Sequence, residues 1–507
     1  MSRPLIGKAS LAQHGMWLTE RAGAGGTAHH MPLAVRLDGP LDVEAMLAAC
    51  AAVAERHPVL RAALVERGGE PSLVRAADPP PIVVEEARAG FVEREVARPF
   101  DLSAGPPARF TLFRLAPERH VLLVVAHHVV FDGVSKDVLL DDLSAAYGGA
   151  ALDPPAVPYG RVVEDGLSRV AAKQEAAAEF WRTRRREDPD LRLPGLRARP
   201  SLRAAPGLEV DLPVPEGFAA AAGQLGVTRF ELLLTVLHTL LYGYGNDAPV
   251  VAVDLSTRAP ESRDHVGLFV NELPVACAPG GETTFAEFAA SVRAELRAVY
   301  AFREVPLARA LGGVSPRTAL APVSLSYRRR DGGDPVFHGL DASVDWAMFS
   351  GAVRNPLHLQ VVDAPDRITA TVRFDPEAVD GDVVAGHLRT LLAAVAERPG
   401  DRLAELPLPA AVRAPEAADA GPRPAGGPAD ESLVKEVTAI WQEALDRDRV
   451  DPDDDLFDLG GHSLTITRII AMVRERLDVE LSFEVFIDLP TVNGVAEEIA
   501  RTREETC

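Results

Sequence analysis

Residues 411–430, AVRAPEAADAGPRPAGGPAD, set the main constraint on what this chain can fold into. Four prolines (Pro415, Pro422, Pro424, Pro428) stand among Ala, Gly and Asp, with no large apolar residue after Val412. Such a stretch cannot bury enough surface to offset its ordering entropy, so a semi-extended linker is expected. It divides 410 residues from a final 77, and each part must build its own core. The final part, 431–507, reads as a small helical domain. Leu433, Val434, Val437, Ile440, Trp441 and Leu445 have helical spacing over Glu431–Leu445. Leu464, Ile466, Ile469, Ile470, Val473 and Leu477 repeat it over Ser463–Leu477, and a last helix starts near Pro490–Thr491.

The first 410 residues mix strands and helices. RHVLLVVAHHVV (119–130) is an apolar run of strand length, followed by a helix from about Val134 to Tyr147. APVVAVDLS (248–256), LHLQVVDA (357–364) and ITATVRF (368–374) read as further strands. A Pro- and Arg-rich crossover at 182–200 lies near the middle. The natural reading is two α/β lobes, 1–165 and 166–410.

Composition excludes several classes. With 53 Lys+Arg against 74 Asp+Glu, the net charge of −21 argues against nucleic acid or an anionic membrane as the main partner. Cys50, Cys277 and Cys507 are odd in number and widely spaced, which excludes a disulfide framework and a thiolate zinc site. No metal-ligand cluster stands out. The N-terminus lacks the apolar run of a secretory signal. The longest apolar stretch, Phe230 to Tyr244, is interrupted by Glu231 and His238 and is too short to span a bilayer. A cytoplasmic protein is expected.

AHHVVFDGVS (126–135) leaves an apolar strand, turns, and enters a helix. Adjacent residues at a strand end point to opposite faces, so His127 can face inward while His128 reaches a cleft. A neutral imidazole can take a proton from an amine or hydroxyl near neutral pH. Asp132 would orient the local backbone by pairing with an Arg, and Gly133 would permit the tight corner. The bland alternative is a satisfied histidine pair followed by a helix-capping Asp. Against it, the string resembles the HHxxxDG active-site motif of the condensation-domain and chloramphenicol-acetyltransferase superfamily. Four more segments extend the resemblance, in family order. Ser10–Leu18 is similar to SxAQxRxWxL, with Gly15 where the family usually has Arg. Arg56–Arg61 is similar to RHExLR, with Pro58 for the usual Glu. Val266–Asn271 matches VGxFVN, and Arg354–Leu357 resembles RNPL.

A second constellation is Asp454–Leu464, DDLFDLGGHSL. A serine at a helix start is most often an N-cap. A hydrolase nucleophile is disfavoured, because Gly461-His-Ser463-Leu-Thr465 lacks the second Gly of a GxSxG elbow and no strand precedes it. The string resembles the DxFxxLGGHSL attachment motif of peptidyl carrier proteins. That resemblance implies 4′-phosphopantetheine on Ser463.

Together the resemblances imply a condensation–carrier pair of a nonribosomal peptide synthetase. The implied fold is a two-lobed α/β, chloramphenicol-acetyltransferase-like V-shaped pseudo-dimer, joined to a small four-helix carrier. The implied reaction is amide formation between an acyl thioester on an upstream donor carrier and an acceptor amine. His128 would take the amine's proton or position the amine, with His127, Asp132 and Gly133 as supports. Arg258 is the candidate partner of Asp132, and Asn355 a candidate cleft residue. Further partners would be a phosphopantetheinyl transferase and, since no adenylation motif is present, a separate adenylation enzyme loading Ser463. Ester formation, transfer to a small-molecule amine, and a non-catalytic docking scaffold stay open. Two basic clusters, seven Arg between Arg182 and Arg199 and the run Arg328-Arg329-Arg330, could dock an acidic carrier or simply form solvated faces. Residues 431–507 hold 19 acidic and 8 basic side chains, so about half of the −21 belongs to the carrier part.

Overall fold

The computed structural model describes residues 3–412 and 431–506, less 69, 185–190, 197–202, 281, 312–319, 446, 455, 457–458, 460, 462 and 483–484. The expected linker from 413 onward, His462, and Arg185, Arg186, Arg197 and Arg199 of the first basic cluster lie outside the described residues.

Two mixed sheets organise the first 412 residues. In the first half, β1 (His30–Asp38), β2 (Ile82–Glu86), β3 (Ala108–Ala116) and β4 (Arg119–His127) pair with one another. The second half supplies β5 (Leu208–Asp211), β6 (Val250–Ser256), β7 (Val270–Ala276), β8 (Val323–Arg329), β9 (Asp341–Asp345), β10 (Leu357–Asp363) and β11 (Ile368–Phe374). Six of these run in the order β7-β6-β8-β10-β11-β5. The seventh, β9, crosses over and pairs antiparallel with β1, completing the order β9-β1-β4-β3-β2. β4 is central in that sheet, which explains its unbroken apolar run: every residue after Arg119 is buried.

Four helices position the site. α1 (Leu11–Arg21) opens with a capping box, Ser10 Oγ accepting from Gln13 N–H while Gln13 Oε1 accepts from Ser10 N–H. α2 (Gly133–Tyr147) is N-capped by Asp132. α3 (Tyr159–Arg184) is 26 residues long, so the expected lobe division at 165/166 falls inside a continuous helix. α4 (Arg229–Gly243) is buried from Glu231 to Leu241 in the core of the second sheet. No single helix among the described residues is long and apolar enough to cross a membrane.

The strand expected over 119–130 stops at His127, and His128–Val130 form a 3-10 turn instead. The run Arg328–Arg330 is not one basic face. Arg329 is exposed beside Asp331, whereas Arg330 is buried, Arg328 is largely withdrawn from solvent, and both bridge to Asp137. In the final segment, helices α5 (Glu431–Leu445), α6 (Ser463–Leu477), α7 (Val485–Asp488) and α8 (Val492–Thr506) bury Val437, Trp441, Ile466, Ile469, Phe486 and Ile499.

Candidate functional site

The turn at the end of β4 is fixed from three sides. Gln13 Nε2 on α1 donates to Val129 O (2.9 Å) and to the Tyr159 hydroxyl (3.1 Å). Arg258 Nη2 donates to Asp132 Oδ1 (2.8 Å), and Arg258 Nη1 donates to Ser262 O and His265 O (2.8 Å each). Phe269 N–H donates to Asp132 Oδ2 (3.0 Å), and Gly267 N–H donates to Ser135 Oγ (3.0 Å). The segments singled out around residues 10, 128 and 266 therefore meet, although they are far apart in the chain. His57 Nε2 and Arg56 Nε reach Asp142 Oδ2 at 2.7 and 2.8 Å, attaching the fourth segment to α2.

Burial alone would raise the Asp132 pKa, but the Arg258 charge together with the hydrogen bonds from Arg258 and Ser135 outweighs it and holds the carboxyl below the ordinary aspartate range. Gly133 is not at positive φ. Its need for glycine comes from proximity: a Cβ there would sit 2.8 Å from Arg328 Cδ, and Arg328 Nη1 donates to Gly133 O at 2.7 Å.

The two histidines part company at the turn. His127 is buried, and its Nδ1 accepts the Val129 N–H at 3.1 Å, so its proton sits on Nε2, 3.3 Å from Glu20 Oε1. Glu20, His29 and His127 place potential metal-ligand atoms within 4.8 Å of one another. That tautomer leaves His127 no lone pair on Nε2, and Glu20 also contacts His29 Nδ1, so the trio is a carboxylate with two histidines packed against it rather than a metal cradle. His128 faces the other way. Its Nδ1–H donates to Phe131 O (2.6 Å), which leaves Nε2 as an acceptor. Burial, and next the Arg354 charge, hold its pKa below the ordinary histidine value, which favours the neutral imidazole.

His128 lines two cavities of about 210 and 220 Å³ with otherwise different walls. The first lies among β8, β10 and residues 346–355, and the second among α1 and residues 306–309. They share only His128, Asp254, Val270 and Arg354. Asn355 lines the first, with Nδ2 donating to Ala321 O at 2.7 Å. Arg354, the first residue of the RNPL-like segment, lines both cavities, whereas Asp254 and Lys136 are cavity residues that the motifs did not single out. Both had a signal: Asp254 lies four residues before Arg258, and Lys136 lies one helical turn after Asp132.

In the carrier segment, Ser463 is the first residue of α6. Gly461 N–H donates to Leu456 O at 2.8 Å, and a Cβ at Gly461 would lie 2.6 Å from that same oxygen. This close backbone contact holds the approach to the helix start.

The family described as "Condensation domain" matches residues 7–317, and "Phosphopantetheine attachment site" matches 435–499. CymA of Salinispora arenicola, described as a probable non-canonical nonribosomal peptide synthetase, is 30% identical over 446 residues, covering 80% of this chain and 6% of that protein. Tyrocidine synthase 3 of Brevibacillus parabrevis is 27% identical over 419 residues, covering 78% of this chain and 6% of that one. The chain thus spans about 6% of the length of these relatives. Among solved structures, the starter condensation domain of rhizomide synthetase has a TM-score of 0.70 at 16% identity, covering 80% of this chain and 98% of that one. The X-domain solved in complex with OxyB from teicoplanin biosynthesis has a TM-score of 0.66 at 25% identity, covering 80% and 98%. With these matches beside the assembled turn and the two cavities, the chain belongs to the condensation-domain family of nonribosomal peptide synthetases and carries a phosphopantetheine-attachment segment after it.

Proposed function

We propose that this chain joins an acyl group, held as a thioester on a partner's carrier, to the amine of an acceptor presented by its own carrier segment. The observation that carries this reading is that two differently walled cavities meet at the unprotonated Nε2 of His128. Two substrates can enter separately and meet at one proton acceptor. The arm on Ser463 supplies a thiol that bears the acceptor as a thioester. His128 Nε2 accepts the amine's proton or hydrogen bond as the new nitrogen–carbon bond forms and the carbon–sulfur bond breaks; the proton ends on the departing sulfur. His127 and Asp132 fix the turn, Gly133 admits Arg328, Arg258 neutralises Asp132, and Asn355 shapes the first cavity wall. A phosphopantetheinyl transferase installs the arm, and an adenylation activity loads it. Tethering the carrier through residues 411–430 raises its effective concentration at the cavity mouth.

The resemblance to an X-domain that forms a complex with OxyB favours a docking scaffold as second reading. One experiment decides: His128→Ala with loaded donor and acceptor carriers should lose about 10²–10⁴-fold in rate. Unchanged turnover selects the scaffold. Intact mass after modification by a phosphopantetheinyl transferase tests Ser463: wild type should gain one arm and Ser463→Ala none.

A further inference from the structure

The two cavities differ in charge. Three basic side chains, Lys136, Arg328 and Arg373, line the first cavity and not the second, and no carboxylate lines the first beyond the shared Asp254. All three are withdrawn from solvent: Lys136 is 5% exposed, the Arg328 side chain 10% and the Arg373 side chain 11%. Buried cations are costly unless an anion compensates them.

The compensation inside the protein is incomplete. Lys136 Nζ donates to two backbone carbonyls, Pro32 O at 3.0 Å and Trp346 O at 3.2 Å, and forms no ion pair among the described residues. An ammonium has three donors, so one remains. Arg328 pairs with Asp137 at 3.2 Å, but its Nε is buried with no hydrogen-bond partner among the described residues. Arg373 pairs with Glu209 at 3.1 Å. Asp137 and Glu209 are not among the residues that line the cavity. Burial, and then the charges of Arg328 and Arg373, push the Lys136 amine down to about 7, although Asp345 and Asp137 act in the opposite sense. An anion in the cavity would relieve that repulsion.

We propose that the first cavity is an anion subsite, and that the substrate lying in it beyond His128 carries a carboxylate that seats on Lys136 with Arg328 and Arg373 beside it. This rests on the reading of the cavities as substrate channels. The carboxylate belongs either to the donor acyl group or to the acceptor's side chain, and the same measurement separates the two.

The test is calorimetric binding of pantetheine conjugates in which a stable amide replaces the thioester, so that no turnover is needed. One pair compares succinyl with succinamoyl, as donor mimics, and a second compares aspartyl with asparaginyl, as acceptor mimics. Each pair differs by a charge at nearly constant shape. In the phosphopantetheinylated full chain, one of the two acids should bind at least about 10-fold more tightly than its amide. Lys136→Met should bring that ratio close to one. Equal affinities in both pairs, or no binding of either acid by the wild type, overturn the proposal. So does a Lys136→Met that weakens acid and amide equally, since the lysine would then be holding the arm and not the acyl group. The wild-type ratio stands even if that variant fails to fold. An acid preference that persists while His128→Ala keeps full turnover would sink the catalytic reading alone.

Discussion

Arg258 Nη2 lies 2.8 Å from Asp132 Oδ1, joining residues 126 positions apart in the chain. Both are buried, at 10% and 0% side-chain exposure, and the pair locks the loop after β6 to the N-terminus of α2. The orientation of His128 depends on that lock, because Asp132 ends the turn that His128 begins.

Removing one partner of such a pair leaves an uncompensated buried charge. Asp132→Ala should therefore cost about 3–5 kcal/mol of stability, measured by urea denaturation. A double-mutant cycle with Arg258→Ala should show strong coupling between the two positions. Additive effects would contradict the pairing.

Stability should fall as pH is lowered from neutrality. Burial lowers the pKa of His29, His30 and His358 to about 4 and of His238 to about 3, against 6.5 for an ordinary histidine. Between those values the unfolded chain binds more protons than the folded one, so stability rises with pH and is lost as pH drops below about 6.5. At pH 5 each histidine accounts for roughly 2 kcal/mol. Urea midpoints at pH 7.5 and 5 check this, and equal midpoints would refute it.

Turnover should require neutral His128. The rate should fall as pH is lowered through a midpoint below 6.5, since burial and Arg354 both disfavour the imidazolium. Arg354→Met should move the midpoint upward. A pH–rate profile in which the midpoint stays put would remove Arg354 from the account.

Gly133→Ala should destabilise by about 1–3 kcal/mol, because the added methyl meets a packed arginine stem. Arg328 cannot swing aside freely: it bonds Gly133 O, pairs with Asp137 and lies over Trp346 with its guanidinium carbon 4.9 Å from the ring centre. A neutral substitution would mean that this stem is mobile.

Much of the local structure follows from short-range pattern. Helical spacing marks α5 and α6 at their observed bounds, and the alternation in ITATVRF marks β11. Adjacent side chains at a strand end diverge, which separates inward His127 from cavity-facing His128. A 3-10 turn in place of three more strand residues was less legible, since Val129 and Val130 are as apolar as the strand before them.

By itself, the sequence determined most of the element types, the helix that begins at Ser463, and the family, because these rest on periodicity, caps and contiguous motifs. Only the tertiary structure decided which distant residues share a space. It put β9 into the first sheet, divided Arg328–Arg330 between core and surface, and set Lys136 beside Arg328 and Arg373 on one cavity wall. The physical reason is that local pattern reports which face of an element is apolar. The sign of charge inside a cavity depends on which elements pack around it, and that is a property of long-range contacts alone.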